Sequence, residues 1–261
     1  MHHGIFGFGN LKAGPLEYSY FHGIDLGIAA RGHRVVVSRV HPTAGIERRA
    51  EQLKAVILRE LPDERKVILV AHSLGGLDAR YMITHLGMAD RVAALLTVAT
   101  PHRGSPYADF WAHHLERRLG VLRLAGLLGM DVRAISDLTT ASCLRFNEQT
   151  PDAPGVRYYC VSGARALRLV PAFAMHAHGI VSRAEGENDS LVSVQSSIWG
   201  KHLGIWPADH FHLINKRLAI ESDPPTGDVT RYYLEALERI EADLMINSVP
   251  ADAIAEPARH G

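Results

Sequence analysis

Apolar and polar positions alternate between two patterns along this chain. Three short apolar runs, within 33–40 (HRVVVSRV), 67–71 (VILVA) and 92–100 (VAALLTVAT), read as strands buried on both faces, as in a parallel sheet. Helical stretches separate them. Residues 23–31 read as a helix stopped by Gly32, and 45–60 as a helix with Ile46, Leu53, Val56 and Ile57 on one face and charges elsewhere. Pro62-Asp63 breaks that helix. Residues 157–163 (RYYCVSG) return to strand, 179–186 read as loop, and the chain after about Ile246 reads as a loosely held tail. This alternation predicts an α/β fold with a doubly wound, mostly parallel sheet flanked by helices.

The periodicity changes after the third strand. Residues 108–138 are helical in character, and 121–130 (VLRLAGLLGM) are unusually apolar. Two expectations follow for an insertion at roughly 107–140: a lid over the mouth of a site, or a pair of core helices. The 261 residues suit a single α/β domain carrying that insertion.

Charge narrows the function classes. Lysine plus arginine equals aspartate plus glutamate, 28 each, so no bulk charge points to nucleic acid or an anionic membrane. No apolar stretch is long enough to span a bilayer. No basic segment followed by an apolar core opens the chain, so as written it is expected to be cytoplasmic, or secreted if an upstream segment carries an export signal. Cys143 and Cys160 are expected to be buried free thiols.

The chemistry is concentrated at 66–81, KVILVAHSLGGLDARY. A buried strand runs straight into His72-Ser73-Leu74-Gly75-Gly76 and then into a helical pattern. A serine between strand and helix sits on a sharp turn that lifts its hydroxyl above the sheet. Small residues must flank it so that the helix can pack back; here Ala71 and Gly75 take those places. The bland alternative is a serine that caps the helix. A serine hydroxyl becomes a nucleophile only with a base to take its proton and a carboxylate to fix the base's tautomer. Asp189, in the polar turn ENDSLV, is a candidate acid, with Asp209 as a rival. His202, His210 and His212 are candidate bases. The opening His3-Gly4-Ile5 can contribute backbone N–H donors, or be a plain flexible terminus with its two histidines a tag remnant.

Taken together, AHSLGGLDARY, HGIFGF, ATPHRGSP, RAEQL at 49–53, GVRYY at 155–159, NDSLVS and DHFHLIN resemble the bacterial true lipases of the α/β-hydrolase superfamily. The blocks cover most of the chain up to about Leu218 and occur in that family's order. The resemblance implies Ser73 as nucleophile, Asp189 as acid, His210 as base, and the backbone N–H groups of Ile5 and Leu74 as oxyanion donors. It also implies hydrolysis of carboxylic esters with no cofactor, an ester or lipid substrate, and transient contact with a lipid interface.

Three departures qualify it. Those lipases carry a calcium-binding aspartate two positions after the histidine, where this chain has His212, and another upstream of the acid, where 164–188 holds no aspartate. Imidazole is a poor ligand for a hard cation, so the calcium site is expected to be lost. Their disulfide uses a cysteine where this chain has Gln195, so no equivalent bridge is expected. Finally, an apolar inner strand precedes their H-G motif, whereas Met1 and His2 alone stand there in this sequence, so the sheet is expected to be unusually built or completed from upstream. Acyl transfer or thioester hydrolysis on the same triad, and a non-catalytic hydrolase-fold binding protein, are the competing expectations.

Overall fold

The computed structural model describes residues 1–5, 11–13, 16–18, 20–63, 66–116, 133–216 and 227–246. A short antiparallel pair, β1 (Leu11–Ala13) and β2 (Leu16–Tyr18), precedes the main sheet. That sheet is built from β3 (Val67–His72), β4 (Val92–Val98), β5 (Arg157–Gly163) and β6 (Lys201–Trp206), in that spatial order and all parallel. Parallel pairing places every strand's C-terminal end at one edge, and the loops that leave that edge carry the chemistry.

Strand alternation divides the core between two faces. Val70, Leu96, Val98, Tyr159 and Val161 pack with α1 (Ile24–Ala29) and α9 (Thr230–Ile246), burying Ile24, Ile28, Tyr233 and Ile240. Leu69, Ala71 and Leu95 face the other way, toward α2 (Ile46–Glu60) and α3 (Gly75–His85), with Leu53, Ile57, Met82 and Ile83. After β4 come α4 (Pro106–Glu116), α5 (Arg133–Asp137) and α6 (Thr140–Gln149). Between β5 and β6 lie α7 (Met175–Glu185) and the single turn α8 (Val194–Ser197). The apolar run at 121–130 lies outside the described residues. Cys143 and Cys160 are buried and unbridged.

Three expectations change. Residues 179–186 are not a loop: α7 runs through Gly179, where a Cβ would meet only the end of the Arg183 side chain, and stops at Gly186, whose φ of 84° suits glycine. Residues 33–40 form no strand. Met1 pairs with Val36 O and Ser38 N–H, but a cavity of about 260 Å³, lined by Val35, Val36, Val67, Ile68 and Val70, lies between the rest of the run and β3, so no ladder extends along the valines. Lastly, His2 and His3 are fully buried rather than a loose remnant. His2 N–H donates to Val70 O and its carbonyl accepts from His72 N–H, while Ser38 N–H donates to Met1 O. The first residues thus lie alongside the end of β3 and hold Gly4 beside the strand's last turn.

Candidate active site

The site grows from the end of β3. Ser73 follows its last residue with φ of 56°, left-handed backbone that a side chain rarely adopts. Its N–H donates to Val98 O on β4, and its carbonyl accepts from Thr100 Oγ1 at 2.7 Å. Glycine is needed at the second and third positions after the serine. A Cβ at Gly75 would stand 2.8 Å from the His3 carbonyl, and one at Gly76 would collide with the Thr100 side chain. So α3 can start at Gly75, with one residue between it and the serine, only because these residues are bare.

The loops after β5 and β6 bring the other groups to this turn. Asp189 is fully buried, and its Oδ1 accepts from Leu191 N–H at 3.0 Å and Val192 N–H at 2.8 Å. Oδ2 accepts from His210 Nδ1–H at 2.7 Å, which leaves Nε2 bare to accept from Ser73 Oγ–H at 3.0 Å. A backbone bond of 2.7 Å from His210 N–H to Asp189 O ties the two loops directly. Of the histidines weighed from the sequence, His202 instead meets Ser162 at 3.0 Å, and His212 bonds Arg165. Asp209 binds Arg165 and the backbone N–H groups of Phe211 and His212, with its carboxylate turned away from the His210 ring.

Leu74 follows Ser73 directly, and Gly4, the residue before Ile5, packs against the serine side chain. Among the described residues neither the Ile5 nor the Leu74 backbone N–H meets a protein acceptor. The Gly4 carbonyl, in the same peptide as the Ile5 N–H, accepts from Arg49 Nη2 at 3.3 Å, and the His3 carbonyl accepts from the same nitrogen at 2.6 Å. A trans peptide holds its N–H opposite its carbonyl, so the Ile5 N–H is directed away from Arg49.

Arg49 was not assigned a role from the sequence, although RAEQL contains it. It is wholly buried on α2 and also donates to Asp78 Oδ2 at 2.8 Å and to His41 O. The signal was present: Arg49 falls between Ile46 and Leu53 on the helix's apolar face, a place where an arginine needs partners. Burial raises the Asp78 carboxyl to about 6 against the opposing pull of Arg49, and lowers His2 well below its usual range, with Arg49 adding to the effect. At neutral pH His2 is therefore a neutral ring, donating from Nε2 to Asp78 at 2.8 Å and accepting at Nδ1 from Ser38 Oγ–H. His72 is also kept neutral, chiefly by burial and then by His210. A chain of bonds runs from Gly4 N–H to Tyr20 Oη, and from Tyr20 Oη–H to His72 Nδ1.

The residues at the expected calcium position do not fit that ion. Where an oxygen ligand is expected, His212 presents Nδ1, and this nitrogen accepts from Arg165 Nη1 at 3.0 Å. The same guanidinium nitrogen lies 2.9 Å from Asp209 Oδ2. A calcium ion there would meet a fixed positive charge and a nitrogen ligand.

Comparison with known proteins agrees with this architecture. Residues 46–141 match the family model of the PGAP1-like alpha/beta domain. The triacylglycerol lipase of Vibrio cholerae is 30% identical over 93% of this chain and 87% of its own length. Triacylglycerol lipase 2 of Saccharomyces cerevisiae is 32% identical over 80% of this chain, which spans 66% of that relative. Among solved structures, the Staphylococcus hyicus lipase superposes with a TM-score of 0.73 at 16% identity, covering 93% of this chain and 95% of that one. A metagenomic carboxyl esterase gives 0.70 at 24% identity, covering 85% and 70%. Fold and relatives together define a carboxylic ester hydrolase with the α/β-hydrolase fold. The chain belongs to the triacylglycerol lipase family.

Proposed function

We propose that this hydrolase cleaves its esters, triacylglycerols among them, through an acyl-enzyme formed on Ser73. The observation that carries the reading is the continuous bond line from Ser73 Oγ through His210 to Asp189, 3.0 and 2.7 Å, at a serine held in left-handed backbone. Ser73 Oγ attacks the ester carbonyl while His210 Nε2 takes its proton. Asp189, buried and bonded to Nδ1, stabilises the imidazolium. The oxyanion that develops is met by the N–H groups of Ile5 and Leu74, and one such donor contributes about 3 kcal/mol in related chemistry. His210 then gives its proton to the departing alcohol. Water, deprotonated by the same nitrogen, attacks the acyl-enzyme and releases the acid.

An apolar rim supports a lipid substrate. Phe211, next to the base, packs edge-on against Phe173 with ring centroids 5.2 Å apart, and Phe173, Leu167, Met175 and Trp111 are all exposed. The insertion at roughly 107–140, which contributes Trp111 to this rim, is proposed as the lid, and transient lipid contact is assigned to the same face.

A fluorophosphonate probe should label the wild-type chain at Ser73 and fail to label Ser73→Ala. Hydrolysis of short and long p-nitrophenyl esters beside an acyl-thioester then fixes the acyl class. Folded wild-type protein that neither labels nor turns over any ester sinks the triad reading; preference for the thioester sinks the substrate assignment.

A further inference from the structure

We propose that Arg165 is a positioning residue for the acid–base pair, tying the turn that carries His210 to the loop that carries Asp189. The proposal rests on the reading of His210 and Asp189 above.

Arg165 lies just past the end of β5 and touches the loops of both groups. Its backbone N–H donates to the carbonyl of Asn188, the residue before the acid, at 3.1 Å. Its guanidinium reaches the other loop, where Nη1 donates to Asp209 Oδ2 at 2.9 Å and to His212 Nδ1 at 3.0 Å. These residues stand one before and two after the base. The side chains of Arg165 and Asp209 are each 3% exposed, so the pair is shielded from water and salt.

The two acceptors are oriented from behind. Asp209 Oδ1 accepts from the N–H groups of Phe211 and His212, which winds the chain into a tight turn directly around His210. His212 Nε2 lies 3.0 Å from the Gly227 carbonyl, which cannot donate, so Nε2 carries the proton and Nδ1 offers its lone pair to the guanidinium. Behind Arg165, its own carbonyl accepts from His178 Nε2 at 2.9 Å. A planar guanidinium suits this task better than an ammonium, since its donors lie in fixed directions. The spacing is tight as well: a Cβ at Gly163, two residues before, would stand 2.9 Å from Asp189 Cβ and 3.0 Å from Ala208 O. β5 therefore delivers Arg165 at the place where the acid and base loops come closest.

The test compares wild type, Arg165→Met, Arg165→Lys and Asp209→Asn for kcat, KM and the rate of Ser73 labelling, with near-UV circular dichroism to establish folding. Loss of positioning predicts that Arg165→Met lowers kcat and labelling about 10²-fold with KM nearly unchanged. Arg165→Lys should recover part of that, and calcium titrated calorimetrically into wild type should give no binding heat. Folded Arg165→Met with wild-type kcat overturns the proposal. So does a kcat deficit that vanishes as the assay is cooled well below the melting temperature, because that is a purely structural role. One-to-one calcium binding to wild type overturns it too. Should Arg165→Met fail to fold, Asp209→Asn decides: a wild-type kcat there overturns the proposal and a lowered one supports it. Failure of wild type itself to label overturns the triad reading instead, which separates the two.

Discussion

Gly4 lies against Ser73 so closely that a methyl group added to it would stand 2.8 Å from the serine Cβ and 3.2 Å from its Oγ. The bare Cα thus lets the Gly4–Ile5 peptide approach the nucleophile. Gly4→Ala must move either that peptide or the serine, and both belong to the proposed oxyanion geometry. The expected outcome is a fall in kcat of about 10²-fold, the scale of losing one oxyanion donor. The protein should remain folded by circular dichroism. Wild-type kcat in this variant would remove Ile5 from the mechanism.

Arg49 couples that same peptide to Asp78. Replacing it by methionine leaves a buried carboxylate without its cation, a change that costs about 3–5 kcal/mol in comparable pairs. It also frees the His3 carbonyl, while the Gly4 carbonyl keeps its bond from His3 Nδ1–H at 2.9 Å. Arg49→Met should therefore lower both the unfolding free energy in urea and kcat. Arg49→Met/Asp78→Leu should regain much of the stability but not the kcat, since the His3 carbonyl stays unheld. Equal recovery of both would show that Arg49 serves the fold alone.

Acid should unfold the chain early. His2, His3, His72 and His102 are each held neutral mainly by burial, His3 at about 3 and the others well below their usual range. An unfolded histidine takes up a proton below about pH 6.5, whereas these cannot while folded, so stability is full above that pH and falls as pH drops. Asp78 acts in the opposite sense: raised to about 6, it holds a proton in the folded chain before the unfolded chain does. Among these five groups, four histidines less the one carboxyl leave a net uptake of three protons, roughly 4 kcal/mol per pH unit. Melting temperatures should drop steeply between about pH 6 and pH 4.5. A flat profile over that window would contradict the buried neutral rings.

Much of this was legible in the sequence where local pattern and packing ask for the same thing. The run 67–71 had to be a strand, and Ser73 with Gly75 and Gly76 could only be a turn into a helix. Asp189 and His210 were not separable from their rivals by spacing, because what distinguishes them is which loop ends meet, and that is a property of the sheet. Resemblance to a family supplied what local chemistry lacked. The misreadings have the same origin. Val35-Val36-Val37 has strand chemistry, but a strand also requires a neighbour. Gly179 suggested a break, yet a glycine inside a helix costs only about 1 kcal/mol, which its neighbours on α7 outweigh. Arg165 carried no local signal, since the partners of its guanidinium are more than forty positions away.

The two bonds accepted by Asp189 Oδ1 make one substitution especially informative. In Asp189→Asn the side-chain oxygen is claimed by Leu191 N–H and Val192 N–H, which only an acceptor can satisfy. The amide NH₂ is then forced toward His210 Nδ1, where it can only donate. Nδ1 must become the acceptor, so the ring proton shifts to Nε2 and points at Ser73 Oγ, the atom whose proton that nitrogen is meant to receive. The geometry survives while the tautomer is inverted. kcat should fall by about 10⁴-fold with little change in KM or melting temperature, the scale of the equivalent change in a serine protease. Raising the pH should not restore it, because no titration returns a carboxylate to that place. Asp189→Ala, which leaves the Leu191 and Val192 donors unpaired, should instead lose stability along with rate. If Asp189→Asn keeps more than about a tenth of wild-type kcat, Asp189 does not set the tautomer of His210 and the acid must be sought elsewhere.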